Sequence, residues 1–313
     1  MSDSDKLIQR AGALLERIEK LLPAQPQPAD WKAIAYRWRK RNGRGTIESV
    51  RHVHEINLGD LRGIDRQKKI VEQNTRQFVE GYPANNVLLT GARGTGKSSL
   101  IKALLNKYAP RGLRVIEVEK QDLTDLSEIV DHIDSRAERF ILFCDDLSFD
   151  ADEPGYKALK VVLDGSVAAA SENCLIYATS NRRHLMPEYM SENLEAKRID
   201  DEIHPGETVE EKISLSERFG VWVSFYPFDQ DEYLNIVAQW LGHYKVTAAD
   251  SDAVRQAALQ WALQRGSRSG RVAWQFARDW AGRSRVARGK EPARCRSQHQ
   301  QRQHPPGSRS LPR

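Results

Sequence analysis

Residues 91–98 read Gly-Ala-Arg-Gly-Thr-Gly-Lys-Ser, which matches the phosphate-binding pattern G-x-x-x-x-G-K-[ST] at every fixed position. The glycines let the backbone curl so that successive N–H groups point at phosphate oxygens. Lys97 can reach the β- and γ-phosphates, and the Ser98 hydroxyl can ligate Mg²⁺. A helix that begins at Lys97 adds its positive dipole end to the same site. The pattern therefore predicts a site for a nucleoside triphosphate.

Two carboxylates follow a later apolar run. Residues 140–144 are apolar and lead directly into Asp145 and Asp146. Parallel strands deliver ligands at their C-terminal ends, which is also the edge that holds a phosphate loop. We expect Asp145 to hold Mg²⁺ opposite Ser98, and Asp146 to act as a base or to position water. The alternative is an ordinary exit from strand to loop, and it weighs more for Asp146 because its side chain is shorter than that of Glu.

Three further polar side chains stand where a triphosphate site could use them. Asn181 closes the next apolar run and can hold an attacking water, although a turn or helix cap is the alternative. Arg218 precedes the last apolar run and can project toward the γ-phosphate of a neighbouring subunit, with a surface ion pair as the alternative. Arg271 begins a late helix and can contact the phosphates from above, with Arg268 as a close competitor.

These side chains need a scaffold that brings strand ends together, and residues 61–227 predict one. Apolar strands alternate with helices in this region: strands 86–90, 113–118, 139–144, 174–179 and 220–225, and helices 66–80, 97–108, 122–135 and 154–169. The alternation predicts a doubly wound, parallel α/β sheet. Residues 228–282 contain helical patterns only, at 229–241, 248–265 and 269–282, which predicts a small all-α lid domain.

The first 60 residues predict an N-terminal helical region. Apolar residues between Leu7 and Leu22 recur at helical spacing, and prolines follow them. The aromatic residues between Trp31 and Trp38 favour a packing face over a base-stacking platform. The basic run over residues 37–44 favours a solvated face, with an interaction surface as the alternative.

The basic charge of the chain is concentrated in its last segment. The 313 residues carry a formal net charge of +5, but residues 283–313 alone hold nine basic side chains and one acid, a net +8. Residues 1–282 therefore sum to −3, without the overall basic character of a nucleic-acid binder. The high content of Gln, Pro and Arg predicts a basic, disordered tail over 283–313.

Composition also bears on the compartment. Three cysteines, Cys144, Cys174 and Cys295, form neither a metal pattern nor a disulfide pattern, which favours a reducing environment. No stretch has the length and apolar character of a membrane span, and the N-terminus lacks signal-peptide features. We therefore predict a cytoplasmic protein with no membrane partner.

Together and in this order, the motifs resemble those of the AAA+ ATPases. The correspondence is Walker A at 91–98, Walker B at 141–146, a sensor-one Asn181, an arginine finger Arg218, a sensor-two Arg271 and a helical lid. Roughly residues 30–282 are similar to a bacterial branch catalogued as domain of unknown function 815 (DUF815). Stretches that carry this similarity are Gly63–Gln67, Pro83–Asn86, Gly91–Leu100, Phe143–Phe149, Tyr177–Leu185 and Ser216–Gly220.

The resemblance implies a P-loop AAA+ fold that binds ATP with Mg²⁺, and it supplies no substrate. Ile64 is then placed to line the adenine pocket. The loop residues expected to bind the cofactor are Gly91, Ala92, Arg93, Gly94, Thr95, Gly96, Lys97, Ser98 and Ser99. One departure concerns the rate, because AAA+ hydrolases usually carry Glu where this chain has Asp146.

The first functional hypothesis is an Mg-dependent ATPase that performs conformational work on a macromolecule within a nucleotide-dependent homo-oligomer. The partner is an unidentified protein or nucleic acid. One alternative is a slow-hydrolysing, nucleotide-gated assembly switch, motivated by Asp146. Another is a DNA-associated helper in replication or transposition, which residues 37–44 and the tail favour and the charge of residues 1–282 disfavours. A small-molecule kinase is a lesser option, since it leaves Arg218 and the lid unexplained.

Overall fold

The computed structural model describes most of the region between residues 29 and 287. The described residues are 29–41, 43–149, 153–164, 172–182, 215–246 and 251–287, with Gly12, Leu185, Lys197–Ile199 and Glu202–His204. The helix predicted between Leu7 and Leu22 lies outside them except for Gly12, and so does the tail beyond residue 287. Among the described residues, no helix is long and apolar enough to cross a membrane.

Seven strands form one sheet, and two short strands pair separately. The strands are β1 Ala35–Arg41, β2 Arg44–Ser49, β3 Val87–Gly91, β4 Leu113–Glu117, β5 Arg139–Cys144, β6 Cys174–Ser180, β7 Lys197–Ile199, β8 Glu202–His204 and β9 Val221–Phe225. The order in the large sheet is β2-β1-β4-β5-β6-β3-β9, and β7 pairs with β8. All neighbours from β1 to β9 in the large sheet are parallel, and only β2 runs antiparallel.

Helices cover the sheet and form the lid. They are α1 Asp65–Val79, α2 Lys97–Tyr108, α3 Leu126–Ile133, α4 Pro154–Asp164, α5 Gln230–His243, α6 Asp252–Gln264 and α7 Gly270–Ala287. The predicted helix over 122–135 is split, because a 3-10 turn over Lys120–Asp125 precedes α3. Within the described residues the predicted α/β sheet and helical lid are therefore present.

The sheet buries both of its faces, which explains why its strands are continuously apolar. Alternate side chains of β3 point to opposite sides: Val87 and Leu89 pack in the core that contains α1, α2 and the lid. Leu88 packs in the opposite core with residues of α3 and α4. Because β6 lies between β3 and β5, the C-terminal ends of these three strands meet at one edge.

The prediction of a helical N-terminal region is wrong for residues 35–49. Residues 35–49 form a β-hairpin, β1 and β2, and β1 pairs in parallel with β4, so the sheet begins well before residue 61. Tyr36 and Trp38 alternate with charged residues and are buried in the core, as a packing face requires. Tertiary contacts stabilise this segment as a strand of the sheet. The Trp38 indole, for example, donates to the Asp125 carboxylate over 3.1 Å.

The basic run of this hairpin is neutralised within the molecule. Arg37 pairs with Glu117 at 2.7 Å, and Lys40 pairs with Asp125 at 2.8 Å. Arg39 pairs with Glu119 at 2.5 Å, and Arg41 pairs with Glu48 at 2.9 Å. Three of these pairs join β1 to acids in or after β4, and the fourth joins β1 to β2, which weakens the use of these cations as a surface for nucleic acid.

The lid begins at a capping box. The Asp229 side chain accepts from the backbone of Glu232 over 2.8 Å, and the Glu232 carboxylate accepts from the Asp229 N–H over 3.0 Å. At the other end, α7 extends to Ala287, so the prediction of a disordered tail from residue 283 is wrong for residues 283–287. The Arg283–Asp279 pair at 2.8 Å and an Arg285 bond to the Tyr244 carbonyl stabilise this last turn.

Candidate functional site

A cavity of about 620 Å³ opens where the C-terminal ends of the strands face the lid. Its lining combines the glycine loop after β3, the residues after β5 and β6, the segment before α1, and the lid helices α5 and α7. The lining residues are His54, Ile56, Asp60, Leu61, Arg62, Ile64, Arg93, Gly94, Thr95, Gly96, Lys97, Ser98, Ser99, Lys102, Asp145, Asp146, Thr179, Asn181, Phe228, Ile236, Trp240, Gly270, Arg271 and Trp274.

The loop between β3 and α2 has a backbone that requires glycine. Gly91 has φ +120°, and a Cβ on it would lie 1.9 Å from the Phe225 carbonyl oxygen of β9. Gly94 has φ +75°, and a Cβ there would meet the Ser269 hydroxyl at 2.9 Å. The loop is therefore held between the sheet and the first turn of α7, and residues 93–98 line the cavity.

Lys97 is buried with only 5% of its surface exposed. Its ammonium donates to the carbonyls of Gly91 and Ala92 over 2.7 and 2.8 Å, and to Asn181 Oδ1 over 3.1 Å. Burial lowers the pKa of Lys97 to about 8, and the nearby Asp145 carboxylate only partly opposes this effect. Its three acceptors carry no formal charge, so an anion entering the cavity would stabilise this ammonium.

Asp145 collects two hydroxyl donors at the end of β5. Ser98 Oγ and Thr179 Oγ1 each donate to Asp145 Oδ1 over 2.6 Å. A hydroxyl and a carboxylate in contact are the hard oxygen ligands that Mg²⁺ prefers, together with phosphate oxygens and water. The donor set fits the metal site expected from Ser98 and Asp145, and Thr179 orients the carboxylate.

Asp146 is tied to Asn181. The Asn181 amide donates to Asp146 Oδ1, and the Asp146 N–H donates to Thr179 Oγ1 over 2.9 Å. Asp146 adopts φ +55°, a left-handed conformation that is uncommon outside glycine. Arg93 approaches the other carboxylate oxygen at 3.9 Å. The two predicted water-positioning groups therefore lie in contact, and one amide touches both Lys97 and Asp146.

A second group of lining residues is apolar and aromatic, and we call it the base end. Ile64 lies there as expected, 3% exposed, with Phe228 and Ile236 beside it. Trp240 of α5 and Trp274 of α7 line the same end and remain half-buried. A flat apolar surface of this kind suits a nucleobase.

The two arginines predicted for the site occupy different places. Arg271 lines the cavity beside Gly94, whereas its competitor Arg268 does not. Arg218 lies outside the cavity and forms an ion pair with Asp164 at the end of α4. The structure thus brings Arg271 to the loop and leaves Arg218 on another surface, where its role on a neighbouring subunit stays a prediction.

Several lining residues were not predicted from the sequence. Thr179 directly precedes the predicted sensor segment, so its position after an apolar strand was an available signal. His54 and Ile56 lie in the irregular segment before α1, and Trp240 and Trp274 resemble ordinary core positions of amphipathic helices. For these, no local pattern distinguishes a cavity wall from a packing face.

The comparisons with known proteins concern this same region. A family model described as a protein of unknown function, DUF815, matches residues 31–284. A search of curated proteins finds no match.

Solved structures align with much of this chain. An alanine-to-serine mutant of RuvB from Thermotoga maritima aligns with 75% of this chain and 68% of its own, at 15% identity and a TM-score of 0.51. The RuvB Holliday junction branch migration motor of that organism aligns with 75% of this chain and 67% of its own, at 16% identity and a TM-score of 0.48. Replication initiator DnaA, bound to AMPPCP and single-stranded DNA, aligns with 71% of this chain and 65% of its own, at 17% identity and a TM-score of 0.45. The mutant RuvB likeness confirms the P-loop AAA+ fold.

Proposed function

The chain belongs to the DUF815 family, and we propose that it is an Mg-dependent ATPase that couples nucleotide binding and hydrolysis to a conformational change in a macromolecular partner. The observation that carries this proposal is the buried ammonium of Lys97, whose three hydrogen-bond acceptors at the glycine loop and Asn181 are neutral oxygens. A buried cation is costly unless an anion compensates it. A triphosphate is the anion that this loop geometry favours.

Each end of the cavity has a role in this proposal. Lys97 and the loop amides bind the β- and γ-phosphates, and Ser98 with Asp145 would hold Mg²⁺, which supplies charge neutralisation at the phosphates. Asn181 and Asp146 orient water at the same edge. Ile64 and the two tryptophans, Trp240 and Trp274, hold the base.

The lid and Arg218 extend the proposal beyond one site. Arg271 begins α7 beside Gly94 and would transmit the state of the phosphates to the lid. Arg218 lies outside the cavity of its own chain, which supports a role on the neighbouring subunit of a homo-oligomer.

The decisive test is Lys97→Ala, with Lys107→Ala as the matched control on the same helix. Lys107 pairs with Glu72 away from the cavity. We expect Lys97→Ala to lower steady-state ATP turnover by about 10³-fold or more, because one preorganised charge contributes roughly 10²–10³ and this lysine also binds substrate. The Lys107 variant should turn over at the wild-type rate. Wild-type turnover in Lys97→Ala contradicts the proposal.

A nucleotide-gated assembly switch is the second candidate, and the Asp146–Asn181 contact favours it. The Asp146 side chain is short, accepts a hydrogen bond from the Asn181 amide and extends from a left-handed backbone. It is therefore poorly placed to activate an attacking water. Single-turnover hydrolysis and ATP-dependent sedimentation of the wild type separate the two functions. If ATP-bound assemblies form at least 100 times faster than they hydrolyse ATP, and Asp146→Asn assembles normally, the switch is favoured.

A further inference from the structure

Helix α7 carries a regular row of arginines. Arg271, Arg278 and Arg285 recur every seven residues, which places them on one helical face with about 20° of drift per step. All three are exposed, and Arg285 also donates to the Tyr244 carbonyl over 3.1 Å. With a rise of about 1.5 Å per residue, consecutive members are roughly 10.5 Å apart and the row is about 21 Å long. We call these three residues the arginine row.

The surroundings leave this row positively charged. Gln275 and Gly282 lie between the arginines on the same face and carry no charge. The acid of α7, Asp279, points away and pairs with Arg283 at 2.8 Å. The described lid residues, 228–246 and 251–287, hold eight basic and five acidic side chains, a net +3. This contrasts with the β1 run, whose arginines pair with carboxylates of the sheet.

We propose that the arginine row binds the sugar–phosphate backbone of a nucleic acid strand. Duplex DNA carries one phosphate per strand for about every 3.4 Å of helix axis, so a row about 21 Å long spans several phosphates. Guanidinium groups also match phosphate oxygens in a two-pronged geometry. A regular anionic repeat over about 21 Å is typical of nucleic acid, whereas an acidic peptide seldom keeps one.

The row starts at the nucleotide cavity. Arg271 lines the cavity, and a Cβ on Gly270 would lie 3.2 Å from the Gly94 carbonyl of the loop. The Ser269 hydroxyl accepts from the Val272 N–H over 3.3 Å and caps the helix at this contact. One helix therefore joins the phosphate loop to the far end of the row. In this respect the inference names the partner of the proposed ATPase and rests on that function.

The test uses the full chain and a labelled 20-nucleotide oligo-dT, without ATP, in a fluorescence anisotropy titration over a range of salt. The double variant Arg278→Gln/Arg285→Gln should bind at least tenfold more weakly than wild type. Its salt slope should fall by about 1.4, because each lost contact to a single strand removes about 0.7. Arg283→Gln is the matched control on another face of the same helix, and it should stay within twofold.

Three results would overturn the inference. The first two are a wild-type chain that does not bind the oligonucleotide and a double variant that binds as well as wild type. Polyglutamate that competes as strongly as the oligonucleotide would also overturn it, in favour of an acidic protein partner. Turnover of the same proteins separates this inference from the proposed function. Loss of binding with unchanged intrinsic turnover supports the row, whereas an inactive wild type with intact, row-dependent binding counts only against the ATPase.

Discussion

The phosphate end and the base end of the cavity are made from different kinds of structure. At the phosphate end, residues 91–98 are consecutive, and Asp145 and Asn181 come from the ends of strands in the same sheet. At the base end, Ile64 and Trp274 are separated by more than 200 residues and line one cavity only because the lid folds over the sheet.

The contrast has a physical basis. The phosphate end works through backbone amides and short polar side chains whose positions follow from local geometry. The base end works through burial of apolar area, which depends on packing between the lid and the segment before α1. We therefore expect substitutions at the phosphate end to affect chemistry and substitutions at the base end to affect affinity.

Among the substitutions that test this contrast, Asp145→Asn should have the largest effect. This change keeps the shape and one acceptor for Ser98 and Thr179 but removes the charge that would hold Mg²⁺. Turnover should fall by about 10²–10³-fold, while calorimetric ATP affinity without magnesium changes little. Asp131→Asn, on the exposed side of α3, is the control. If Asp145→Asn keeps Mg-dependent turnover, the assignment of the phosphate end is wrong.

Trp274→Ala should have an intermediate effect of another kind. Losing one wall of the base end should raise KM for ATP by about tenfold and change kcat by less than twofold, the pattern of lost ground-state binding. The matched control is Trp261→Ala, since Trp261 packs against Phe276 in the lid and does not line the cavity. A large fall in kcat with an unchanged KM would contradict the assignment of affinity to the base end and chemistry to the phosphate end.

The smallest effect should be a pH dependence that belongs to the phosphate end alone. Burial lowers the pKa of Lys97 to about 8, and a bound triphosphate would raise it again by stabilising the ammonium. The affinity for ATP should therefore be highest below this pKa, and it should decline as the pH rises through the pKa. Binding of a non-hydrolysable ATP analogue should weaken about fourfold between pH 7.0 and 8.5.

Two variants sharpen this pH test. Lys97→Arg should give a flat profile, because a guanidinium stays charged throughout this range. Trp274→Ala should keep the wild-type slope at a lower affinity, since it leaves Lys97 and its three acceptors unchanged. A sloping profile in Lys97→Arg would assign the pH dependence to another residue.

Prediction from sequence succeeded where neighbours in the chain are neighbours in space. The strand, glycine loop and helix around Gly91 and Lys97 form one continuous unit, and the strand ends at Asp145 and Asn181 follow from parallel pairing. Tyr36 and Trp38 show the limit. Their alternation with basic residues was a strand signal, but only pairing with β4 and the buried Asp125 shows that the hairpin joins the sheet.

The sequence by itself determined the α/β sheet, the helical lid and the phosphate loop, because apolar periodicity and glycine conformation act over a few consecutive residues. Only the tertiary structure decided which cations stay available. It pairs Arg37 with Glu117 and Arg218 with Asp164, yet leaves the row from Arg271 to Arg285 exposed along α7. Charge pairing depends on distances between remote segments, and no local pattern encodes those distances.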